Sequence, residues 1–120
     1  MPRQLPEVLS VRRDTDIDGQ ILIDLHIPTD IVHFPGHFPG LAILPGVVQI
    51  DWAVRLARLH LPIDGQFTQM ENIKFQSLIL PDARVVLTLN WIPEKWRLEF
   101  SFSTSLRKHS SGRVIFGGGP

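Results

Sequence analysis

The run from Pro45 to His60, PGVVQIDWAVRLARLH, constrains this chain more than any other stretch. Proline's fixed φ suits a first helical position, and after Gly46 no glycine or further proline interrupts the pattern until Pro62 and Asp64-Gly65. The spacing predicts one helix from near Pro45 to about His60. It is apolar on most of its circumference, through Val47, Val48, Ile50, Trp52, Ala53, Val54, Leu56, Ala57 and Leu59. A helix of that kind is buried, so the remainder of the chain has to wrap it.

The remainder reads as strands. Residues 7–14 form a short apolar-to-charged run. Residues 20–27 alternate, with Ile21, Ile23, Leu25 and Ile27 on one side and Leu22, Asp24 and His26 on the other. Turn chemistry from Asp16 to Gly19 joins these two runs into a hairpin. Phe67–Gln76, Arg84–Trp91, Trp96–Ser103 and Arg113–Phe116 read as further strands, with turns at Pro81-Asp82 and Pro93-Glu94-Lys95. Two strands, one buried helix and four more strands make an α+β layer pair. Residues 1–120 are read as one domain, with 117–120 a flexible tail. The three tryptophans and Phe38, Phe67, Phe75, Phe100 and Phe102 are assigned first of all to the core.

Charge and cysteine usage narrow the function. Twelve Lys and Arg balance twelve Asp and Glu, which argues against a nucleic-acid binder driven by bulk charge. The absence of cysteine removes disulfides and thiolate chemistry. No apolar run is long enough to span a bilayer, and Met1 to Pro6 lacks the apolar core of a signal peptide, so a soluble cytoplasmic protein is expected.

The chemistry-bearing residues lie just before and inside the helix. His33 and His37 sit in a segment punctuated by Pro35-Gly36 and Pro39-Gly40, which cannot be regular structure. A loop base, a helix N-terminus and the acid Asp51 together suit proton transfer next to a carbonyl. Each also has a plainer reading. His37 can be a packed loop histidine. Asp51 shares a helical stripe with Arg55 and Arg58, the pattern of a solvated ion pair. Gly46 can be turn punctuation. His33 and His37 are four apart, but Pro35-Gly36 forbids the helix that would bring both to one face, which argues against a metal pair. His26, His60 and His109 are read as surface or strand residues without partners. Arg12, Arg13, Arg55, Arg58, Arg107 and Lys108 are read as solvated charge, any of which an acidic partner would meet.

The stretch closely resembles the signature of the beta-hydroxyacyl-acyl-carrier-protein dehydratases. The matching residues are Gly36-His37-Phe38-Pro39-Gly40, Pro45-Gly46-Val47 and Asp51, and the acid follows the histidine by 14 residues, the family's spacing. The run Leu44 to Ala53 and the segment His109-Ser110-Ser111-Gly112-Arg113 look most like the small dehydratases of aryl-polyene and related polyketide-like pathways. Asn72-Ile73-Lys74-Phe75 followed by Pro81-Asp82 resembles the family's strand after the central helix, although glycine is usual beside that proline.

The resemblance implies a hot-dog fold, a curved antiparallel sheet of about six strands around one long central helix. It implies loss of water from a 3-hydroxyacyl thioester to give the trans-2-enoyl thioester. In these terms His37 is the base that takes the C2 proton, and Asp51 handles the departing C3 hydroxyl. The Gly46 amide polarises the thioester carbonyl, while Phe38, Pro39 and Val47 contact the substrate. No metal or redox cofactor is implied, because the 4'-phosphopantetheine arm arrives on an acyl carrier protein. The expected assembly is a homodimer, or a pair with another hot-dog protein, with His37 from one chain and Asp51 from the other. Arg55 departs from the glutamine common in the family. A fixed cation beside the acid suits Asp51 better to orienting the hydroxyl than to protonating it. A hot-dog thioesterase, a combined dehydratase and isomerase, and a non-catalytic acyl-binding protein remain as alternatives.

Overall fold

The computed structural model describes residues 5–13, 19–29 and 44–117. They form β1 (Glu7–Arg13), β2 (Gln20–His26), α1 (Gly46–His60), β3 (Gln66–Phe75), β4 (Arg84–Ile92), β5 (Arg97–Ser103) and β6 (Lys108–Gly117). The strands make one six-stranded sheet in the order β1-β2-β4-β5-β6-β3, and every neighbouring pair is antiparallel.

The period-two pattern decides which side of this sheet is inside. Ile21, Ile23 and Leu25 of β2 stand in register with Leu89, Leu87 and Val85 of β4. Leu87 and Leu89 in turn face Phe102 and Phe100 of β5. All of these are buried and form one cluster with Trp52, Ala53, Leu56 and Ala57 of α1. The alternate residues of the same strands, among them Thr88, Asn90, Glu99 and Ser101, are partly exposed on the opposite face. This is the one-face-wet arrangement usual for antiparallel sheets. Trp52 is wholly buried, and a side chain of that size contributes about 1.5–3 kcal/mol or more by leaving water.

Several expectations need correction. Pro45 is not the first helical residue. It is the N-cap, with φ −63° and ψ 149°, because the ring holds φ but leaves ψ free to stay extended. Nor is the helix covered all round: Val47 and Leu59 are each 73% exposed, since a single curved sheet reaches only one side of α1. Phe67 and Phe75 are 45% and 53% exposed rather than core, because β3 is an edge strand with a neighbour on one side only among the described residues.

The last strand begins at Lys108, not Arg113. Ser110, Ser111 and Gly112 are weak strand formers, yet they pair with β5 on one side and, through Ser110 and Ser111, with β3 on the other. Gly117 belongs to that strand, opposite Gln66, so the tail does not start there. Residues 118–120 and most of the expected 16–19 turn lie outside the described residues. Gly19 alone is seen from that turn, at φ +82°, with the Trp91 carbonyl oxygen 2.6 Å from where a Cβ would sit.

Two histidines have partners that the sequence did not announce. His109 is buried, and its Nδ1 lies 3.4 Å from the Ser77 carbonyl. His26 lies between two carboxylates, with Nδ1 2.9 Å from Glu7 and Nε2 2.8 Å from Asp82. It thereby ties the start of β1 and the Pro81-Asp82 turn to the end of β2. The hydrogen bond to Asp82, and then that to Glu7, raise the His26 pKa above its ordinary value. A raised folded-state pKa means that the protonated ring stabilises the fold fully below the unfolded pKa, and that this contribution fades as pH rises through the folded pKa. Replacing His26 with Gln should therefore lower the melting temperature most at about pH 5–6, where both carboxylates are still ionised. The deficit against the native protein should shrink toward pH 8–9, as read from melting curves across that range.

Candidate functional site

The site grows from the N-terminus of α1. The amides of Val48 and Gln49 both donate to the Pro45 carbonyl, each at 3.1 Å. The amides of Gly46 and Val47 precede the first acceptor that the helix itself can offer, and they carry the positive end of its dipole. Such donors suit a developing oxyanion. The lack of a side chain at Gly46 has a concrete local use: a Cβ there would lie 2.4 Å from Cζ of Phe75, so the ring of Phe75 rests directly on the Gly46 backbone. The space left at Gly46 is taken up by this ring in the single chain.

Val47 and Asp51 lie one helical turn apart and both are exposed. Asp51 accepts from Arg55 Nε at 3.0 Å to Oδ2 and 3.2 Å to Oδ1, with the two side chains 50% and 54% exposed. The sequence spacing anticipated this ion pair. In a single chain it is a solvated surface pair, worth a few tenths of a kcal/mol. Arg58, on the same side of the helix, donates to the Gly65 carbonyl at 3.1 Å and lies 5.0 Å from the ring centre of Phe116. Val47 and Asp51 thus share the open flank of the helix, while Gly46 lies at its N-terminus under the Phe75 ring. His37, Phe38, Pro39 and His33 fall outside the described residues.

Two polar residues of the site went unrecognised in the sequence. Gln49 is 4% exposed; its Nε2 donates to the Leu44 carbonyl at 3.1 Å. Ser110 of β6 is fully buried, and its hydroxyl donates to Gln49 Oε1 at 2.7 Å. The Leu44 amide donates to Ile79 O at 2.9 Å, so Leu44 is held through both of its backbone groups. The signal was available for Gln49, which precedes Trp52 and Ala53 by three and four residues and so sits on the buried stripe. A polar side chain there must find partners. Nothing local marks Ser110, which becomes a partner only through strand pairing. Ser110 is also the residue opposite Phe75 across the β3–β6 pair.

Comparison with known proteins agrees with this architecture. The family model described as ApeI dehydratase, of the ApeI-like family, matches residues 12–113. The 3-hydroxyacyl-[acyl-carrier-protein] dehydratase FabZ of Brucella ovis is 27% identical over 105 residues, which cover 79% of this chain and 66% of the relative. The bifunctional enzyme LpxC/FabZ of Porphyromonas gingivalis is 29% identical over 69 residues, 51% of this chain and 15% of that protein. This chain thus spans just under two thirds of the length of the first of these and a small part of the second.

Among solved structures, the dehydratase heterocomplex ApeI:P from Xenorhabdus doucetiae aligns with a TM-score of 0.84 at 28% identity, over 94% of this chain and 98% of that one. An uncharacterized protein from Erwinia carotovora subsp. atroseptica aligns at 0.81 with 34% identity, over 94% and 96% of the two chains. The dehydratase domain from the CurK module of a curacin polyketide synthase, at 12% identity and a TM-score of 0.61, covers 97% of this chain with 44% of its own and shares the fold alone. With the family match running from β1 into β6 over this hot-dog architecture, the chain belongs to the ApeI-like dehydratase family.

Proposed function

We propose that this protein is a 3-hydroxyacyl-[acyl-carrier-protein] dehydratase that forms the trans-2-enoyl thioester, in aryl-polyene or related fatty-acid-like synthesis. The observation that carries the reading is the helix that bears Gly46 at its N-terminus and, on its open flank, Val47 with Asp51 one turn further on, within a chain of this family. His37 takes the proton from C2, and the C–H pair becomes an enolate whose oxygen is met by the Gly46 amide. The enolate collapses to the C2–C3 double bond as the C3–O bond breaks. The hydroxyl leaves as water, carrying the proton held by His37, with Asp51 orienting the departing oxygen. Arg55 supports that orienting role by holding the carboxylate at 3.0 Å. No metal or redox cofactor enters, and the pantetheine arm comes with the carrier protein.

The reading includes a second hot-dog subunit. Phe67, Met70 and Phe75 of the edge strand β3 are each about half exposed, and Val47 lies open on the helix. An unpaired edge beside apolar side chains is the kind of surface that another chain covers. A second copy of this chain, or a related subunit as in the ApeI:P heterocomplex, would bury it and bring a second loop to Asp51.

Incubation with a panel of 3-hydroxyacyl carrier proteins should show loss of one water by mass. A conjugated enoyl product without thiol release separates this activity from a thioesterase, and the position of the double bond separates it from an isomerising enzyme. In that assay His37→Ala should lower kcat by about 10²–10⁴-fold with the circular-dichroism spectrum unchanged. Sedimentation should give a dimer for the native chain, alone or with its partner subunit. Met70→Lys, which puts a charge on the exposed face of β3, should shift it toward monomer and lower activity with it.

A further inference from the structure

Gln49 and Ser110 serve no step of the reaction above, yet they form a buried polar chain that ends at the site. Ser110 donates to Gln49 at 2.7 Å, and Gln49 donates to the Leu44 carbonyl at 3.1 Å. The consequence lies in the backbone torsions that follow. Between the Leu44 carbonyl and the Gly46 amide there are only two soft torsions, φ and ψ of Pro45. The pyrrolidine ring locks φ, which stands at −63°. The ψ torsion is held because the Pro45 carbonyl accepts from both Val48 and Gln49 at 3.1 Å. The Gly46 N–H shares a peptide plane with the Pro45 carbonyl, so anchoring the Leu44 carbonyl ties this plane, through Pro45, to β6 and fixes its direction relative to the sheet. The same glutamine supplies the side-chain anchor at one end and, through its amide, one of the bonds at the other.

We infer that Gln49 and Ser110 are positioning residues that aim the Gly46 amide by tying the Leu44 carbonyl to β6. The inference rests on the dehydratase reading for its catalytic consequence, but the aim of the amide is a property of the free protein. A hydrophobic residue at 49 would suffice to fill the core, and two buried polar groups are costly to keep unless their geometry is used. Because the amide acts on charge that develops only in the transition state, losing its aim should appear in kcat rather than KM.

The test uses Gln49→Met, which keeps the length and removes both polar atoms, and Ser110→Ala, a smaller change that covers the case in which the first variant does not fold. Each should lower kcat on a 3-hydroxyacyl carrier substrate by roughly 10- to 100-fold, with KM within about threefold of native. The double variant should be no worse than the more damaging single one, since both break one chain. Gln49→Glu, which keeps the acceptor for Ser110 but has no donor for Leu44, should behave like Gln49→Met. Independently of activity, the N–H residual dipolar coupling of Gly46 in nitrogen-15-labelled protein should change in the variants while those of β5 do not. Native kcat in both single variants, or a lowered melting temperature with an unchanged Gly46 coupling, would overturn the inference and leave the pair a plain core contact. If the native protein removes no water from any carrier substrate, the dehydratase reading falls by itself, and the Gly46 coupling alone decides the positioning role.

Discussion

The burial of one side of α1 against the inward face of the sheet is the interaction on which the rest depends. Among the described residues α1 is the only long helix, and no other element covers the inward faces of β2, β4 and β5. Trp52, Ala53, Leu56 and Ala57 fill the sheet's concavity, and the small residues let the helix approach closely. Once that side is committed, 3.6-residue periodicity leaves Val47, Asp51, Arg55 and Leu59 on the other. Asp51 is thus exposed as a direct result of how the core packs.

The same packing gives the helix N-terminus its surroundings. β3 runs back along the helix: Gly65, just before it, meets Arg58, and Phe75, at its far end, lies on Gly46. The end of the helix that carries unpaired donors is therefore roofed by an aromatic ring and backed by a buried polar chain from β6. A low-dielectric wall beside oriented amides strengthens their interaction with a developing negative charge. Phe75 is half exposed and touches Gly46 only by its ring, so it can yield to a substrate more easily than backbone could.

The two edges of the sheet are managed differently. On the outer face of β1, Ser10 and Arg12 both bond Asp24 of β2, and these contacts, that of Ser10 foremost, hold its carboxyl below the usual carboxylate range. The outer face of β1 thus carries paired charge, a common protection for an edge, while Val8 and Leu9 are 43% and 45% exposed. β3 instead combines Gln69, Glu71 and Lys74 on one face with half-exposed Phe67, Met70 and Phe75 on the other. Phe75 of β3 also rests on Gly46 of the helix, so β3 is the edge beside the candidate site, which is why a second subunit is proposed there rather than at β1.

Local pattern was enough to read the elements. Alternation in β2, β4 and β5, the proline-bounded helix and the turn residues between strands are all short-range signals, and every element except the last strand, which begins at Lys108 rather than Arg113, formed close to where it was expected. The Asp51–Arg55 pair was legible for the same reason, since residues four apart on a helix must be neighbours. The sequence by itself also carried the family signature and hence the candidate chemistry of His37, Gly46 and Asp51. Tertiary structure alone decided which strands became edges, and so why Phe67 and Phe75 are open while Phe100 and Phe102 are buried. It also decided the partners of His26, His109 and Gln49, which come from residues 19, 56, 32 and 61 positions away. Such contacts depend on sheet order and register, and no local periodicity encodes either one.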